Sequence, residues 1–219
     1  MDLKTKRKNE LNAQKEKRKE EIIKIAIEVF SEKGIENTKM TDIAEKAEVG
    51  VASVYRYFKV KQTLVIDAAI KMWEGVIKDF YNEFKTEEYE KLNGIQAVAK
   101  ILSVFKDLYI NNKDFIKYIE EFDNYIVKEK VSPEKLEDYE NNILNLMPVM
   151  FEALEKGKLD KTIKLSVNYE EFYMTITHAL MSLCQKLISR NTILHSDDDI
   201  AGEAQVNLII DMAIKYISN

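Results

Sequence analysis

Hydrophobic positions recur at helical spacing along most of the chain. Ile22, Ile23, Ala26, Ile27, Val29 and Phe30 form an apolar stripe at steps of three and four, which predicts a helix from about Glu20. Gly34 is its expected stop. Thr38 is the expected N-cap of a short helix over Met40–Ala47, with Asp42 in its first turn and Ile43, Ala44 and Ala47 on one side. A second short helix, Val51–Phe58, turns Val54 and Phe58 inward. A long amphipathic stretch then runs from Lys61 to about Phe84, with Leu64, Ala68, Met72, Val76, Phe80 and Phe84 on its apolar face. Further helices are expected over about 94–111, 114–130, 133–156, 169–190 and 198–217. Local signals set their ends. Ser132-Pro133 opens one helix. Asn168 with Glu171, and Ser196 with Asp199, resemble capping boxes. Pro148 should kink the 133–156 helix and Gly157 should end it. No strand-like alternation or internal repeat stands out. The fold class is all-α.

Composition agrees. The chain has 219 residues, only 6 Gly and 2 Pro, and 46% apolar residues, enough for a sizeable helical core. Cys184 is the single cysteine, so no internal disulfide forms and a reducing, cytoplasmic setting is expected. No run of about 18 apolar residues suggests a membrane span. No apolar signal core opens the chain.

Net charge is −5, which taken alone argues against a polyanionic partner. Its distribution reverses that. Residues 1–61 hold 15 Lys and Arg against 11 Asp and Glu, while residues 62–219 hold 18 against 27. A basic head on an acidic body fits a small DNA-reading domain attached to something else. Residues 1–19 carry eight basic against three acidic residues and read as a flexible arm that frays into the first helix. Phosphate contact and simple solubilisation are both open roles for it.

The second short helix carries the most informative chemistry. With Val54 and Phe58 inward, Val51, Ala52, Ser53, Tyr55, Arg56 and Tyr57 are left to face outward or flank the core. Such a surface stabilises a domain poorly and fills a major groove well. The pair of short helices is therefore read as a helix-turn-helix.

The stretch Thr38–Leu64 resembles the signature of the TetR-type bacterial transcription repressors. The shared features are Ile43-Ala44, the turn Ala47-Glu48-Val49, Tyr55-Arg56-Tyr57-Phe58, and Lys61 followed by Leu64. The match covers about residues 20–66. Beyond it, only helical pattern and length agree. Glu48 stands where the family usually has Gly, at a position that favours positive φ, with a cost of about 1 kcal/mol for a side chain. Gly50 replaces a common Ser and weakens the cap of the recognition helix. Val60 replaces a common polar residue.

The resemblance implies three parts: a basic arm over residues 1–19, a DNA-binding head over 20–66, and a helical ligand-binding and dimerisation body over 67–219. It implies a homodimer on a palindromic double-stranded operator, with half-sites about 34–36 Å apart. Carried over by position, Lys39 and Thr41 would touch phosphate or a nearby base edge. Val51, Ala52 and Ser53 would approach bases, Arg56 would read guanine, and Tyr55, Tyr57 and Lys61 would reach phosphates. The family's body binds a small molecule. Here Trp73, Phe105, Tyr109, Phe122, Met147, Phe151, Tyr173, Met174 and His178 are the candidate lining, and a hydrophobic effector is expected. Core packing is the competing role for each, and a satisfied interior position is the competing role for His178. Glu120, Glu121 and Asp123 read either as an attraction for a cationic ligand or as a solvated face. Ile176, Leu180, Leu183, Leu187, Val206, Ile209, Ile210 and Ala213 are the candidate dimer surface, with monomer core as the alternative.

Other classes have less support. No GxGxxG, Walker, HExxH or CxxC pattern occurs, so no enzyme, cofactor or metal is expected. No membrane partner is expected either, because the basic arm lacks a large apolar face. The remaining alternative is a helical ligand- or partner-binding protein of the same architecture with weak or no specific DNA binding.

Overall fold

A computed structural model describes residues 3–143, 146–190, 193 and 199–219. Among the described residues eleven helices follow one another: α1 (Leu3–Lys33), α2 (Met40–Lys46), α3 (Val51–Tyr57), α4 (Lys61–Glu83), α5 (Glu87–Glu90), α6 (Gly94–Asn111), α7 (Lys113–Lys128), α8 (Pro133–Ile143), α9 (Met147–Leu159), α10 (Tyr169–Arg190) and α11 (Gly202–Ile217). No strand occurs among the described residues, only an isolated bridge between Ile163 and Ser218. The fold is all-α.

Two compact units form. The first holds residues 1–72 with 121–140, and the second holds 73–120 with 141–219. α4 and α7 each run from one unit into the other. In the first unit Ile22, Ala26, Val29 and Phe30 of α1 are buried with Ile43, Ala44, Val54, Phe58 and Leu64. Phe122 of α7 packs its ring on Tyr139 of α8, with centroids 4.5 Å apart.

The second unit centres on α6, which packs on α9, α10 and α11. Val98, Ile101, Leu102, Phe105 and Leu108 give α6 a continuous buried face. Asn93 caps α6: its Oδ1 accepts from Gln96 N–H at 3.0 Å, and Gln96 Oε1 accepts from Asn93 N–H at 3.1 Å. A loop after α9 completes the same end. Asp160 Oδ2 accepts from Gly94 N–H at 2.7 Å and Thr162 Oγ1 accepts from Ile95 N–H at 3.2 Å. The Thr162 hydroxyl, donating to Asp160 Oδ1 at 2.6 Å, and then the Gly94 N–H hold the Asp160 carboxyl below its ordinary range.

Several expectations are corrected. Residues 3–19 form the first half of α1, a stretch with no Gly or Pro that is rich in helix-forming Lys and Arg. Thr38 does not cap α2. It is buried, and its hydroxyl donates to Gly34 O at 2.8 Å, leaving Lys39 as the N-cap residue. The expected 133–156 helix is two helices. Pro148 sits in the first turn of α9, where its missing N–H has no intrahelical partner to lose. Gly157 does not end α9, which continues to Leu159. A side chain there would strike Ile163. Ser196 lies outside the described residues, and α11 begins at Gly202.

Candidate nucleic-acid interface

α2 is short and held at both ends. Asp42 Oδ2 accepts from Lys39 N–H at 2.7 Å, and Asp42 Oδ1 pairs with Lys33 Nζ at 3.2 Å. The backbone bond first, and Lys33 second, hold the Asp42 carboxyl below its ordinary range. At the other end Val49 N–H donates to Ala44 O and Glu48 N–H to Glu45 O, both at 3.0 Å. This is a Schellman ending, whose residue after the cap takes a left-handed conformation. Glu48 is that residue, with φ 52°. Glu48→Gly should therefore stabilise the head by about 1 kcal/mol. A thermal melt should rise by about 2–4 °C. An unchanged or lower midpoint contradicts the assigned strain.

α3 begins from Gly50, whose φ of −65° and ψ of 140° suit an N-cap but whose missing side chain leaves the first N–H groups without a side-chain cap. Val54 is fully buried, and so is Phe58 at the C-cap. Those two anchors fix the helix's rotation. Val51, Ala52, Tyr55 and Arg56 are exposed, and Ser53 and Tyr57 are half-buried. Lys39 and Thr41 of the preceding helix are exposed as well. The Arg56 guanidinium lies 5.3 Å from the Tyr57 ring centroid.

Lys61 is more enclosed. Its ammonium donates to Glu36 O at 3.1 Å and lies 5.6 Å from the Tyr125 ring centroid. Burial pushes its pKa down, against the pull of Glu129 and Glu36. It lines an open cleft of about 490 Å³ with Glu36, Asn37, Val60, Gln62, Tyr125, Lys128 and Glu129. Burial and Glu129 push the Tyr125 phenol up to about 12.

One face of α7 is bonded to the head. Glu121 Oε2 accepts from Ile35 N–H at 2.8 Å, just beyond the left-handed Gly34 with φ 81°. Lys128 Nζ pairs with Glu36 Oε2 at 2.8 Å. Lys135 of α8 donates to Gln62 Oε1 at 3.1 Å. Positions 121, 125 and 128 share a helix face. Glu121 thus serves the turn after α1, a role no local sequence signal announces.

The other candidate residues scatter. Phe105 and Tyr173 are buried. Trp73, Tyr109, Met147 and Phe151 are half-buried. Met174 and His178 are exposed. Trp73 meets Phe115 edge-on at 4.8 Å, and Phe151 meets Tyr169 and Tyr173 at 5.6 and 6.4 Å. Phe122 lies in the first unit, apart from this aromatic set. His178 is not an interior histidine, because it lies off the buried stripe Phe172, Ile176, Leu180 and Cys184. Cys184 itself donates to Phe105 O at 3.6 Å, and burial pushes its thiol up to about 12. Of the candidate dimer residues, Ile176, Leu180, Val206, Ile210 and Ala213 are buried within the chain and have no surface to offer a partner. Leu183, Leu187 and Ile209 are half-buried. The exposed apolar row on α11 is instead Leu208, Met212 and Tyr216, at 59%, 59% and 66% exposure. Their spacing of four was readable, but which face was covered was not.

The family model described as bacterial regulatory proteins, tetR family, matches residues 22–68, the segment containing α2, α3 and the buried anchors above. Over those residues the chain is similar to the tetR family. Among curated relatives, the HTH-type transcriptional regulator LuxR of Vibrio harveyi is 27% identical over 143 residues, covering 65% of this chain and 67% of LuxR. Solved structures match over nearly the full length. The regulator FadR of Bacillus subtilis, in complex with stearoyl-CoA, has a TM-score of 0.65 at 18% identity, covering 90% of this chain and 98% of FadR. A transcriptional regulator from Saccharomonospora viridis, in complex with choline, has a TM-score of 0.72 at 11% identity, covering 93% and 99%. These structural likenesses establish the fold. Among the described residues no helix is long and apolar enough to cross a membrane.

Proposed function

We propose that the protein is a homodimeric repressor that occupies a palindromic operator and leaves it when a small, apolar effector binds its second unit. The observation that carries this reading is the outward face of α3. Val54 and Phe58 anchor it, so that Val51, Ala52, Tyr55 and Arg56 stand free at the surface. Small side chains at the start of the helix allow close approach to base edges, and Arg56 supplies a bidentate donor for guanine. Ser53 assists at the base edges. Lys39, Thr41, Tyr55, Tyr57 and Lys61 serve phosphates, fixing register rather than reading sequence.

The self-partner is assigned to α11. Leu208, Met212 and Tyr216 form an exposed row four residues apart, and a second copy would bury it through a two-fold contact. The effector is assigned to the aromatic second unit, with Trp73, Phe105, Tyr109, Met147, Phe151 and Tyr173 as its lining. FadR's complex with stearoyl-CoA supports an apolar ligand class. An effector shifts the DNA-binding heads only by its differential affinity for the two states of the protein.

Titration of the operator-bound protein with long-chain fatty acids and their CoA esters tests this reading. Release of the duplex, at least ten-fold weaker binding at saturating effector, is the expected result. If no apolar chain weakens binding while a polar or cationic compound does, the effector class is wrong.

A further inference from the structure

The first half of α1 extends well past the core of the head. Every residue from Thr5 to Arg18 is exposed, so none is buried against the rest of the chain. At 1.5 Å per residue, residues 3–18 make a rod about 24 Å long.

Five of the rod's basic residues share one side, with Lys6 and Lys17 on the other. Arg7, Lys8, Lys15, Arg18 and Lys19 fall within an arc of about 120° when the chain advances 100° per residue. Arg7 and Arg18, like Lys8 and Lys19, are eleven residues apart, close to three full turns, so the basic row runs nearly parallel to the axis. Glu10 and Glu16 fall outside that arc. The row is anchored at its inner end. Lys19 Nζ pairs with Asp67 Oδ2 at 2.7 Å and lies 5.7 Å from the ring of Phe58, which caps the recognition helix. Arg18 pairs with Glu21 at 2.7 Å, and Arg7, Lys8 and Lys15 carry the row outward. Leu11 is the one large apolar side chain between Thr5 and Arg18, too little for a lipid-facing helix or an apolar groove.

We propose that this basic row lies along the phosphate backbone of DNA flanking the site read by α3, so that α1 extends the footprint beyond the operator. The inference rests on the DNA-binding reading. A straight row of cations on a rigid helix matches a polyanion of regular spacing, and its origin beside Phe58 places it at the foot of the recognition helix. Such contacts add affinity without sequence preference and make binding steeply salt-dependent.

The test compares the full chain with a variant carrying Arg7→Gln, Lys8→Gln and Lys15→Gln together, which keeps helix-forming residues. An operator selected from random duplexes is used in two lengths, trimmed to the site and with about ten base pairs of flank on each side. On the flanked duplex the variant's salt slope should be shallower by about 2.7 per bound protomer, at about 0.9 per phosphate contact. Across a four-fold rise in salt, the native chain should lose about 40-fold more affinity per protomer than the variant. On the trimmed duplex the two proteins should converge. Equal slopes on the flanked duplex, with operator still preferred over scrambled DNA, overturn this inference and leave the regulator reading intact. An arm-dependent slope without any sequence preference does the reverse. Loss of binding to anionic phospholipid vesicles, with DNA binding unchanged, would assign the row to a membrane surface and overturn the inference.

Discussion

Arg56→Ala is expected to weaken operator binding by about 1–3 kcal/mol and to relax preference at one base pair of each half-site. The side chain is exposed on α3, and its guanidinium is steadied 5.3 Å from the Tyr57 ring centroid. Bidentate recognition of guanine needs that fork to be held in plane, which a stacked aromatic favours. Lys61→Ala makes the contrast. It should weaken all sequences alike and flatten the salt slope by about 1, because a phosphate contact carries no base information. Fluorescence anisotropy on an operator and its single-base variants separates the two. If Arg56→Ala leaves both affinity and base preference untouched, another residue reads the sequence.

Gly94→Ala is expected to destabilise the second unit by about 3 kcal/mol or more. Here α6 starts against α9, and a Cβ on Gly94 would fall inside the van der Waals envelope of Gly157 N and Cα. Both obstacles are backbone, so no side chain can rotate away. Separation of the helices would also strain the bonds from Asp160 and Thr162 to the first N–H groups of α6. The thermal midpoint should fall by about 6–12 °C. Gly75→Ala is the internal control, since nothing lies within 4 Å of its would-be Cβ. In that helical position alanine should stabilise by about 0.5–1 kcal/mol. Equal effects from the two substitutions would refute the close crossing.

What the sequence disclosed was local. Gly34 ends α1 with φ 81°, Lys61 starts α4, Pro133 starts α8, and Asn168 accepts from Glu171 N–H at 3.1 Å. For Gly34 and Pro133 the residue's own backbone preference marks the element's end, and for Asn168 a local side-chain bond does, so no knowledge of distant neighbours is needed. Glu48 belongs here too, since the turn dictates positive φ whatever residue occupies it. Thr38 failed for the opposite reason. Its hydroxyl had two acceptable partners nearby, and it donates back to Gly34 O rather than capping α2. Gly157 looked like a helix stop because Gly often is one, yet its real constraint is the Ile163 side chain, which a Cβ there would strike.

The recognition helix was more legible than the body for a related reason. α3 has two inward anchors at a spacing of four, and its outward set follows from them. α10 and α11 carry apolar residues on more than one face. Periodicity alone did not tell Val206 and Ile210, which are buried, from Leu208 and Met212, which are exposed. Glu121 was visible as an acidic residue among aromatics. Its partner, the N–H of Ile35, lies 86 positions away, and only the folded chain brings the two together.

The most direct test of the central claim is fluorescence anisotropy of the purified protein on the DNA upstream of its own gene, against a scrambled duplex, at about physiological salt. The account predicts saturable binding to the native sequence at least 10³-fold tighter than to the scrambled one, within the usual range for specific recognition. Equal, weak binding to both, persisting when the protein is offered a pool of random duplexes, would contradict it.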